Sequence, residues 1–233
     1  MLREILAANA NLSARQLDQF EIFYRAVIDW NEKINLTAIT GAEDFAIKHV
    51  IDSLTVWDEN KFAGVRKIID VGTGAGFPGI PLKIFKPEVE IVLLDSLDKR
   101  VKFLKSVVEE LNLSGVECVH GRAEDLAHDK NYRERFDLVT ARAVARLNVI
   151  AEYCLPFAKT GGIFAAMKGK NFREEIAEAG VAVKILGGGE ILSVEKNLPN
   201  LPDIRAVIYV DKVKSTPKNF PRKAGVPAKN PLR

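Results

Sequence analysis

The chain begins with apolar residues that recur at helical spacing. Residues Ser13 to Gln16 have the order of a capping box, in which Ser and a Gln three residues later satisfy free N–H groups at a helix start. The apolar positions that follow are Leu17, Phe20, Tyr24, Val27 and Ile28. A second box-like stretch at Thr40–Glu43 predicts another helix. We therefore expect a helical N-terminal element over residues 1–60.

From Lys67 onward, short apolar runs alternate with amphipathic segments, which is typical of βα units and a parallel sheet. The predicted strands are 67–71, 90–95, 116–120, 136–140, 162–167, 190–194 and 205–210. The predicted helices are 78–85, 98–111, 149–157 and 172–183. The last two strands have no helix between them, and Pro199 and Pro202 resist one. These two strands are therefore expected to form an antiparallel hairpin.

This order predicts an α/β, Rossmann-like fold: a seven-stranded, mostly parallel sheet with an antiparallel hairpin at one edge. A chain of 233 residues is long enough for one such domain and a small accessory element. We expect three parts: the helical element over 1–60, the sheet domain over 61–212 and a C-terminal tail over 213–233.

The net charge of +3 is unevenly distributed. Residues 1–60 hold 5 Lys and Arg against 10 Asp and Glu, whereas residues 211–233 hold 7 against 1. A basic tail on a near-neutral body indicates a phosphate-bearing partner, although a tail that only aids solubility would look the same.

Other features exclude several classes of protein. No apolar run approaches the ~20 residues that a membrane span needs, and the N-terminus lacks a signal-peptide pattern. Two cysteines, Cys118 and Cys154, favour a reduced, cytoplasmic setting. The three histidines, His49, His120 and His128, show no metal-ligand spacing, so we expect no metal.

A glycine-rich loop, Asp70–Gly76, follows the first strand and precedes a helix. Its glycines, Gly72 and Gly74 among them, allow a sharp turn and a close approach of a ligand to the backbone. Asp95 ends the second strand, where an acid can accept hydrogen bonds from both ribose hydroxyls of an adenosine. The loop and Asp95 together predict a cofactor that contains adenosine.

Two cofactor classes use this layout. Gly74–Gly79 also has the GxGxxG spacing of a dinucleotide enzyme, so a nucleotide-cofactor oxidoreductase remains an alternative. A pyrophosphate needs amide N–H groups at the helix start, but Pro78 removes one and Phe77 is bulky there. S-adenosylmethionine carries a cationic sulfonium and no phosphate, and Asp70 suits that positive end. The pattern therefore favours a methyltransferase.

The fourth strand leads into Thr140–Val144 (TARAV), where many exocyclic-amine methylases carry an Asn/Asp-Pro-Pro-aromatic tetrapeptide. Neither cysteine ends a predicted strand, as the nucleophile of a pyrimidine-carbon methylase would. A ring nitrogen with a free lone pair needs neither device, because no proton has to leave it. Catalysis would then come from alignment of the reactants.

Several blocks together resemble the bacterial RsmG family, formerly called glucose-inhibited division protein B, throughout the chain. The blocks are Trp30–Ile39 (WNEKINLTAI), His49–Leu54 (HVIDSL), Asp70–Leu82 (DVGTGAGFPGIPL), Leu94–Ser96, Lys99–Arg100, Gly121–Asp125 (GRAED), Thr140–Val144 and Pro221–Gly225 (PRKAG). The glycine loop extended through Phe77–Gly79 is much more specific than GxGxG alone.

The resemblance implies methylation of nitrogen 7 of a guanine in the 530 loop of 16S ribosomal RNA. It implies that Gly72 and Phe77 line the S-adenosylmethionine site, that Asp95 holds the ribose and that Ala123 and Glu124 flank the adenine. Arg142 is expected to reach the same site and to act in catalysis. RNA contacts are expected at basic residues of the tail and one strand end: Lys168, Lys218, Arg222, Lys223 and Lys229. The expected partner is 16S ribosomal RNA or the small ribosomal subunit, with the enzyme a monomer.

Three questions remain open at this point. A guanidinium at Arg142 can read guanine oxygen 6, grip a phosphate or pair with an acid such as Asp137. The Asn31–Leu36 and His49–Leu54 blocks either close over the cofactor site or pack the helical element on the sheet. The rival function is that of a non-catalytic RNA-binding assembly factor with a vestigial cofactor loop.

Overall fold

A seven-stranded sheet forms the centre of the computed structural model, which describes residues 1–142 and 145–233. Two residues of the TARAV motif, Ala143 and Val144, lie outside the described residues. The strands are β1 (Lys67–Val71), β2 (Glu90–Asp95), β3 (Val116–His120), β4 (Phe136–Arg142), β5 (Ala158–Lys168), β6 (Gly188–Leu198) and β7 (Leu201–Lys212). Their order is β3-β2-β1-β4-β5-β7-β6, and β7 runs antiparallel to both of its neighbours. The predicted fold class is confirmed.

Helices cover both faces of the sheet. Those before β1 are α1 (Leu2–Asn9), α2 (Ala14–Asn31), α3 (Ala42–Phe45), a π-helical turn (Ala46–Ile51) and α4 (Asp52–Leu54). Those after β1 are α5 (Gly79–Phe85), α6 (Asp98–Glu110), α7 (Ala123–Leu126), α8 (Leu147–Cys154), α9 (Phe172–Ile185) and α10 (Val226–Lys229). The strand order reverses between β1 and β4, where open α/β sheets bind ligands.

The two faces of the sheet belong to separate hydrophobic clusters, because alternate side chains of a strand point in opposite directions. Ile68 packs with the N-terminal helices, α5 and α6, whereas Ile69 packs with α8 and α9. The central strands are buried on both faces, which explains their continuous apolar runs. The N-terminal helices thus share one core with the sheet.

The start of α2 follows the sequence prediction. The Ser13 side chain accepts from the backbone N–H of Gln16, and the Gln16 side chain accepts from the backbone N–H of Ser13. The second predicted box is wrong. Gly41, not Thr40, is the N-cap of α3 and makes no side-chain cap, while the Thr40 carbonyl accepts from the Tyr24 hydroxyl.

Element boundaries differ where distant residues decide them. The helix predicted over 149–157 is α8, which begins at Leu147 because the Glu175 carboxylate accepts from the Leu147 N–H at 2.7 Å. Strands β5, β6 and β7 extend well beyond their apolar centres. Backbone hydrogen bonds to neighbouring strands keep polar residues in strand conformation there, and the hydrophobic periodicity does not predict these residues as strand.

The C-terminal strap, residues 213–233, packs along the domain. Four carbonyls accept from the Arg133 guanidinium at 2.9–3.2 Å, three of them in the strap: Ala127, Thr216, Pro217 and Phe220. The Glu134 carboxylate accepts from the Thr216 N–H at 2.7 Å. The strap is thus an ordered part of the fold, with a basic outer surface.

Two basic residues, one at the end of β7 and one in the strap, form ion pairs or hydrogen bonds with buried groups of the protein. Arg222 forms a bidentate pair with Glu152, with Nη2 to Oε2 at 2.6 Å, and the Glu152 side chain is only 1% exposed. The Lys212 ammonium donates to the Leu155 carbonyl at 2.6 Å, and burial lowers its pKa to about 8. Arg222 is thus held in an ion pair, because a buried carboxylate needs this guanidinium, and its expected contact with RNA stays a prediction.

Within the described ranges, no helix combines the length and apolar character that crossing a membrane requires.

We expect Arg133→Ala to lower the free energy of unfolding by about 3 kcal/mol, because several charge-assisted hydrogen bonds to strap carbonyls are lost together. Urea denaturation measures this, and limited proteolysis should show earlier cleavage within the strap. Arg135→Ala is the matched control, since the Arg135 side chain is exposed and, among the described residues, donates to a single carbonyl, that of Lys130. Equal stability of the two variants would contradict the anchoring role of Arg133.

Candidate functional site

The glycine loop turns at the carboxyl end of β1. Gly72 and Gly74 have φ values of +71° and +61°, a region that side chains rarely adopt. The N–H groups of Gly72 and Thr73 donate to the Leu94 carbonyl at 2.8 and 3.0 Å. These bonds hold the loop against the end of β2, so the backbone itself forms one wall of a cavity.

Asp95 joins this loop to the second strand. Its Oδ2 accepts from the Gly74 N–H and its Oδ1 from the Leu97 N–H, both at 2.9 Å. Arg100 lies 3.6 Å from the carboxylate, which is 3% exposed. Each carboxylate oxygen can accept more than one hydrogen bond. Asp95 is thus fixed in place and can still accept hydrogen bonds from a pair of hydroxyls.

Two adjoining cavities share this corner. The first, the loop cavity, has a volume of about 360 Å³ and is lined by Leu36, Thr37, His49, Gly72, Thr73, Gly74, Ala75, Phe77, Asp95, Ser96, Arg100 and Arg142. The second, the Glu124 cavity, has a volume of about 130 Å³ and is lined by Val71, Gly72, Leu94, Asp95, Ser96, Arg122, Ala123, Glu124 and Tyr153. Asp95 lines both, so an elongated ligand can lie across the strand ends with its centre at this carboxylate.

The structure therefore brings together seven predicted cofactor residues: Gly72, Gly74, Phe77, Asp95, Ala123, Glu124 and Arg142. Asp70 lies beneath them. It is fully buried, its Oδ2 accepts from the Gly79 N–H at 2.9 Å and its Oδ1 from the Thr140 hydroxyl at 3.1 Å. Burial raises the pKa of Asp70 to about 6. Asp70 holds the start of α5 against the sheet and does not line either cavity in the described residues.

Phe77, His49 and Arg142 form a stack beside the loop. The His49 and Phe77 rings are stacked with centroids 4.3 Å apart, and the Arg142 guanidinium lies 4.8 Å from the Phe77 centroid. Arg142 Nη2 donates to His49 Nδ1 at 3.2 Å, because a guanidinium has no acceptor. His49 Nε2 must then carry the ring proton and donate to the Thr37 hydroxyl at 2.8 Å.

The acid that pairs with Arg142 is Asp52, not Asp137. Arg142 Nη1 donates to Asp52 Oδ2 at 3.1 Å and to the Lys48 carbonyl at 3.2 Å. Asp137 instead accepts from the backbone N–H groups of residues 66 and 67 at the opposite end of the sheet. Asp137 lies at the beginning of β4 and Arg142 at its end, so the two side chains are at opposite edges of the sheet.

The Asn31–Leu36 and His49–Leu54 blocks line the loop cavity and also pack the helical element on the sheet. Asn31 Oδ1 accepts from the N–H groups of Leu36 and Thr37 at 2.8 and 3.0 Å, and this turn carries both residues to the loop cavity. His49 lines the same cavity, while Val50 packs in the core. The helical element therefore supplies part of the site as well as covering the sheet.

A third, larger cavity, which we name the basic cavity, adjoins the loop cavity at His49 and Arg142. Its volume is about 610 Å³ and its lining includes five cationic side chains: Lys48, Arg142, Arg146, Lys168 and Arg205. Two carboxylates, Asp52 and Glu175, also line it. This surface suits an anionic or electron-rich ligand.

Lys168 lies in this wall but is not freely exposed. Its ammonium is 2.7 Å from Glu175 Oε2 and donates to the Ala145 carbonyl, and the side chain is 6% exposed. By contrast, Lys218, Lys223 and Lys229 of the strap are exposed. The five residues expected to contact RNA therefore differ in their surroundings. Lys168 is paired with Glu175 in a cavity wall, Arg222 is paired with buried Glu152, and the three strap lysines are exposed.

Sequence reasoning missed Thr37, Asp52, Arg100 and Arg205 as lining residues. Thr37 and Asp52 lie in blocks that carried the family resemblance, so a pattern pointed to them without giving a role. Arg100 follows Asp95 by five residues on α6 and could have been placed by its nearness to the strand end. Arg205 begins the apolar part of β7 and carries no local pattern that marks it.

Metal binding has no support in the part of the chain that the structure describes, which contains no group of three or more His, Cys, Asp or Glu side chains able to hold an ion. The absence of a metal remains a prediction.

Comparison with known proteins decides the family. Residues 16–199 match the family GidB, rRNA small subunit methyltransferase G. The chain belongs to this family. A ribosomal RNA small subunit methyltransferase G from Brevibacillus brevis is 49% identical over 230 residues, covering 98% of this chain and 97% of that protein. One from Clostridium tetani is 50% identical, covering 91% and 89%. The predicted class of enzyme, a methyltransferase of small-subunit ribosomal RNA, is confirmed.

Solved structures agree on the fold of this member of the methyltransferase G family. The METTL16 MTase domain superposes with a TM-score of 0.55 at 16% identity, covering 84% of this chain and 82% of that one. A precorrin-6y C5,15-methyltransferase from Geobacter metallireducens GS-15 gives a TM-score of 0.50 at 16% identity, covering 77% and 91%. The fold and the family imply an S-adenosylmethionine-dependent enzyme rather than a nucleotide-cofactor oxidoreductase.

The residues present suit S-adenosylmethionine. The loop cavity joins the Glu124 cavity at Asp95, and the two together give an elongated space lined by Ala123 at one end and by Gly72 and Phe77 at the other.

We expect Asp95→Ala to weaken S-adenosylmethionine binding by about 1–3 kcal/mol, because charge-assisted hydrogen bonds to the ribose are lost. Titration calorimetry measures the change in affinity. A thermal melt shows whether the variant still folds without the hydrogen bond between Gly74 and Asp95. Asp98→Ala is the matched control, because Asp98 begins α6 and its one ion pair within the described residues is with exposed Lys102. Unchanged affinity in a folded Asp95→Ala protein would remove Asp95 from the cofactor site.

Proposed function

We propose that this enzyme transfers a methyl group from S-adenosylmethionine to nitrogen 7 of a guanine in the 530 loop of 16S ribosomal RNA. The observation that carries the proposal is the meeting of two cavities at His49 and Arg142. One cavity has the lining for a nucleoside cofactor, and the other has a cationic wall. A base held in the basic cavity would lie next to the transferred methyl group.

When bound, S-adenosylmethionine supplies a methyl group on a cationic sulfur. The chain's own residues then have to align it with a lone pair of the base and exclude water. Gly72 and Gly74 bring the backbone close to the cofactor, while the Asp95 carboxylate fixes the ribose. Arg142 orients the base from the other side, with its guanidinium held in one plane by Phe77, His49 and Asp52.

Nitrogen 7 of guanine carries no proton, so this reaction needs no general base. The state of His49 agrees with that chemistry. Burial lowers its pKa to about 3, and the Nδ1 lone pair already accepts from Arg142. His49 is therefore neutral at physiological pH, with its acceptor nitrogen occupied, and its role in the proposal is to hold Arg142.

RNA would reach the site across two basic surfaces. One is the basic cavity, and the other is the outer face of the strap, which exposes Lys218, Lys223 and Lys229. Phosphate contacts by such side chains give affinity that falls with salt concentration. Arg222 and Lys168 support these surfaces from within ion pairs rather than as free charges. We propose that the enzyme acts as a monomer.

Mapping of modified guanines in 16S ribosomal RNA, in cells with and without the gene, tests the proposed reaction. We expect one N7-methylated position in the 530 loop to disappear in the deletion and to return with the wild-type gene but not with the Asp95→Ala gene. An unchanged modification pattern would contradict the proposal. Methylation of that guanine by a variant that cannot bind S-adenosylmethionine would contradict it too. A growth defect of the deletion without any lost methyl group would instead indicate an assembly factor.

The pH dependence of the chemical step tests the absence of a base. We expect the single-turnover rate, at saturating RNA and cofactor, to be nearly flat from about pH 6 to 9. The pKa of His49, at about 3, lies below this whole interval, so its ring stays neutral throughout it. A tenfold fall in rate per pH unit below neutrality, abolished in His49→Gln, would show that a base takes part.

Arg142 and His49 should differ in their effect on that same rate. We expect Arg142→Ala to lower it by about 100-fold, since a donor aimed at the reacting base is lost. His49→Gln keeps polar atoms beside Arg142 and should lower the rate by less than about tenfold. The reverse order of the two effects would assign the critical contact to His49.

A further inference from the structure

Arg142 and Asp52 present a positive and a negative group side by side in the wall of the basic cavity. Nη1 of Arg142 lies 3.1 Å from Oδ2 of Asp52. The Asp52 residue is 6% exposed and therefore meets the cavity through a small window. Arg142 also lines the loop cavity, so the pair lies next to the junction where methyl transfer would occur.

Both partners keep unused hydrogen-bonding capacity. A guanidinium has five N–H donors, and Arg142 uses three, toward the Lys48 carbonyl, Asp52 and His49, within the described residues. On Asp52, Oδ2 accepts from Arg142, whereas Oδ1 has Arg205 Nε 3.9 Å away, beyond hydrogen-bond distance. The pair can therefore offer a donor from Arg142 and an acceptor from Asp52 to one ligand edge.

The edge of guanine next to nitrogen 7 has the complementary order. Oxygen 6 is an acceptor, and the N1–H beside it is a donor. Adenine reverses this order, with an amino donor at position 6 and an acceptor at N1, although its nitrogen 7 is equally available. In an unpaired nucleotide this edge is free to be read by side chains. A base with nitrogen 7 toward the cofactor can place oxygen 6 at Arg142 and its N1–H at Asp52.

Glu175 is the other carboxylate among the described residues of this wall, and its contacts indicate a different task. Its Oε2 accepts from the Leu147 N–H and from Lys168, both at 2.7 Å, so it caps α8 and neutralises a buried ammonium. Asp52 instead touches the guanidinium that both cavities share. Burial raises the pKa of Asp52, and the charges of Arg142 and Arg205 oppose that rise.

We propose that Asp52 determines the purine specificity of the enzyme by accepting a hydrogen bond from N1–H of the target guanine while Arg142 donates to oxygen 6. This inference rests on the proposed function. It assigns Asp52 a direct contact with the base in addition to its contact with Arg142. A discrimination of about 10–100-fold is what one well-placed pair of hydrogen bonds provides.

The test uses the full-length enzyme and small subunits reconstituted with 16S ribosomal RNA that carries guanosine, inosine or 2-aminopurine riboside at the target position. Inosine keeps oxygen 6 and N1–H, whereas 2-aminopurine lacks both and keeps nitrogen 7. For the wild-type enzyme we expect single-turnover methylation of inosine within about threefold of guanosine and of 2-aminopurine about 100-fold slower. Methylation of 2-aminopurine at the guanosine rate would overturn the inference.

The variants separate base reading from mere support of Arg142. We expect Asp52→Asn to lower the guanosine to 2-aminopurine rate ratio by at least about tenfold, and Asp52→Glu, which keeps the carboxylate, to retain part of it. Asp29→Asn is the control, an equal charge change at an exposed position of α2, and should leave rates and ratio unchanged. Equal losses on all three bases in Asp52→Asn would overturn the inference.

Two further readouts keep the outcomes distinct. Calorimetry with S-adenosylmethionine and a thermal melt show whether Asp52→Asn still folds. If it does not, the guanosine to 2-aminopurine ratio of Asp52→Glu decides between base reading and support of Arg142. If the wild-type enzyme leaves guanosine itself unmethylated at nitrogen 7, the proposed function fails and the inference with it. If guanosine is methylated without discrimination against 2-aminopurine, only the inference fails.

Discussion

The burial of one guanidinium organises the functional end of this protein. Arg142 stands at the end of β4, beside the point where the strand order reverses, and its side chain is only 16% exposed. A charge in such a place is costly unless paired and hydrogen-bonded. Its partners, Lys48, His49 and Asp52, all come from the N-terminal helical segment. The need to satisfy this charge therefore fixes that segment over the sheet and makes it a wall of two cavities.

The same constraint explains why the helical segment cannot be treated as a passive cover. Thr37 and His49 reach the loop cavity because Asn31 shapes one turn and because His49 has to meet Arg142. The segment thus carries residues on the cofactor side and, through Asp52, on the side proposed for the base.

Charge balance also explains the division of the basic residues. A buried carboxylate at Glu152 requires Arg222, and a cap carboxylate at Glu175 requires Lys168. These cations are therefore neutralised within the fold, and the exposed lysines of the strap are the ones that we propose for contacts with phosphate. The strap itself is attached to a cofactor-side residue, since the Gly225 N–H donates to Glu124 Oε1 at 2.9 Å. Counting cations in a sequence cannot separate these groups, because only the position of the acids decides which charges are neutralised.

The sequence by itself determined the order of the seven strands and of the longer helices, the capping box at Ser13, the glycine loop and the position of Asp95 at a strand end. These features depend on the periodicity of apolar side chains, on backbone conformation and on neighbours a few residues away, and a short stretch of sequence contains all of this information. Only the tertiary structure decided that Arg142 pairs with Asp52 across 90 residues of chain, that Glu175 sets the start of α8 and that Asp70 lies beneath the site. Such pairings follow from distance through the folded core, which no local pattern encodes.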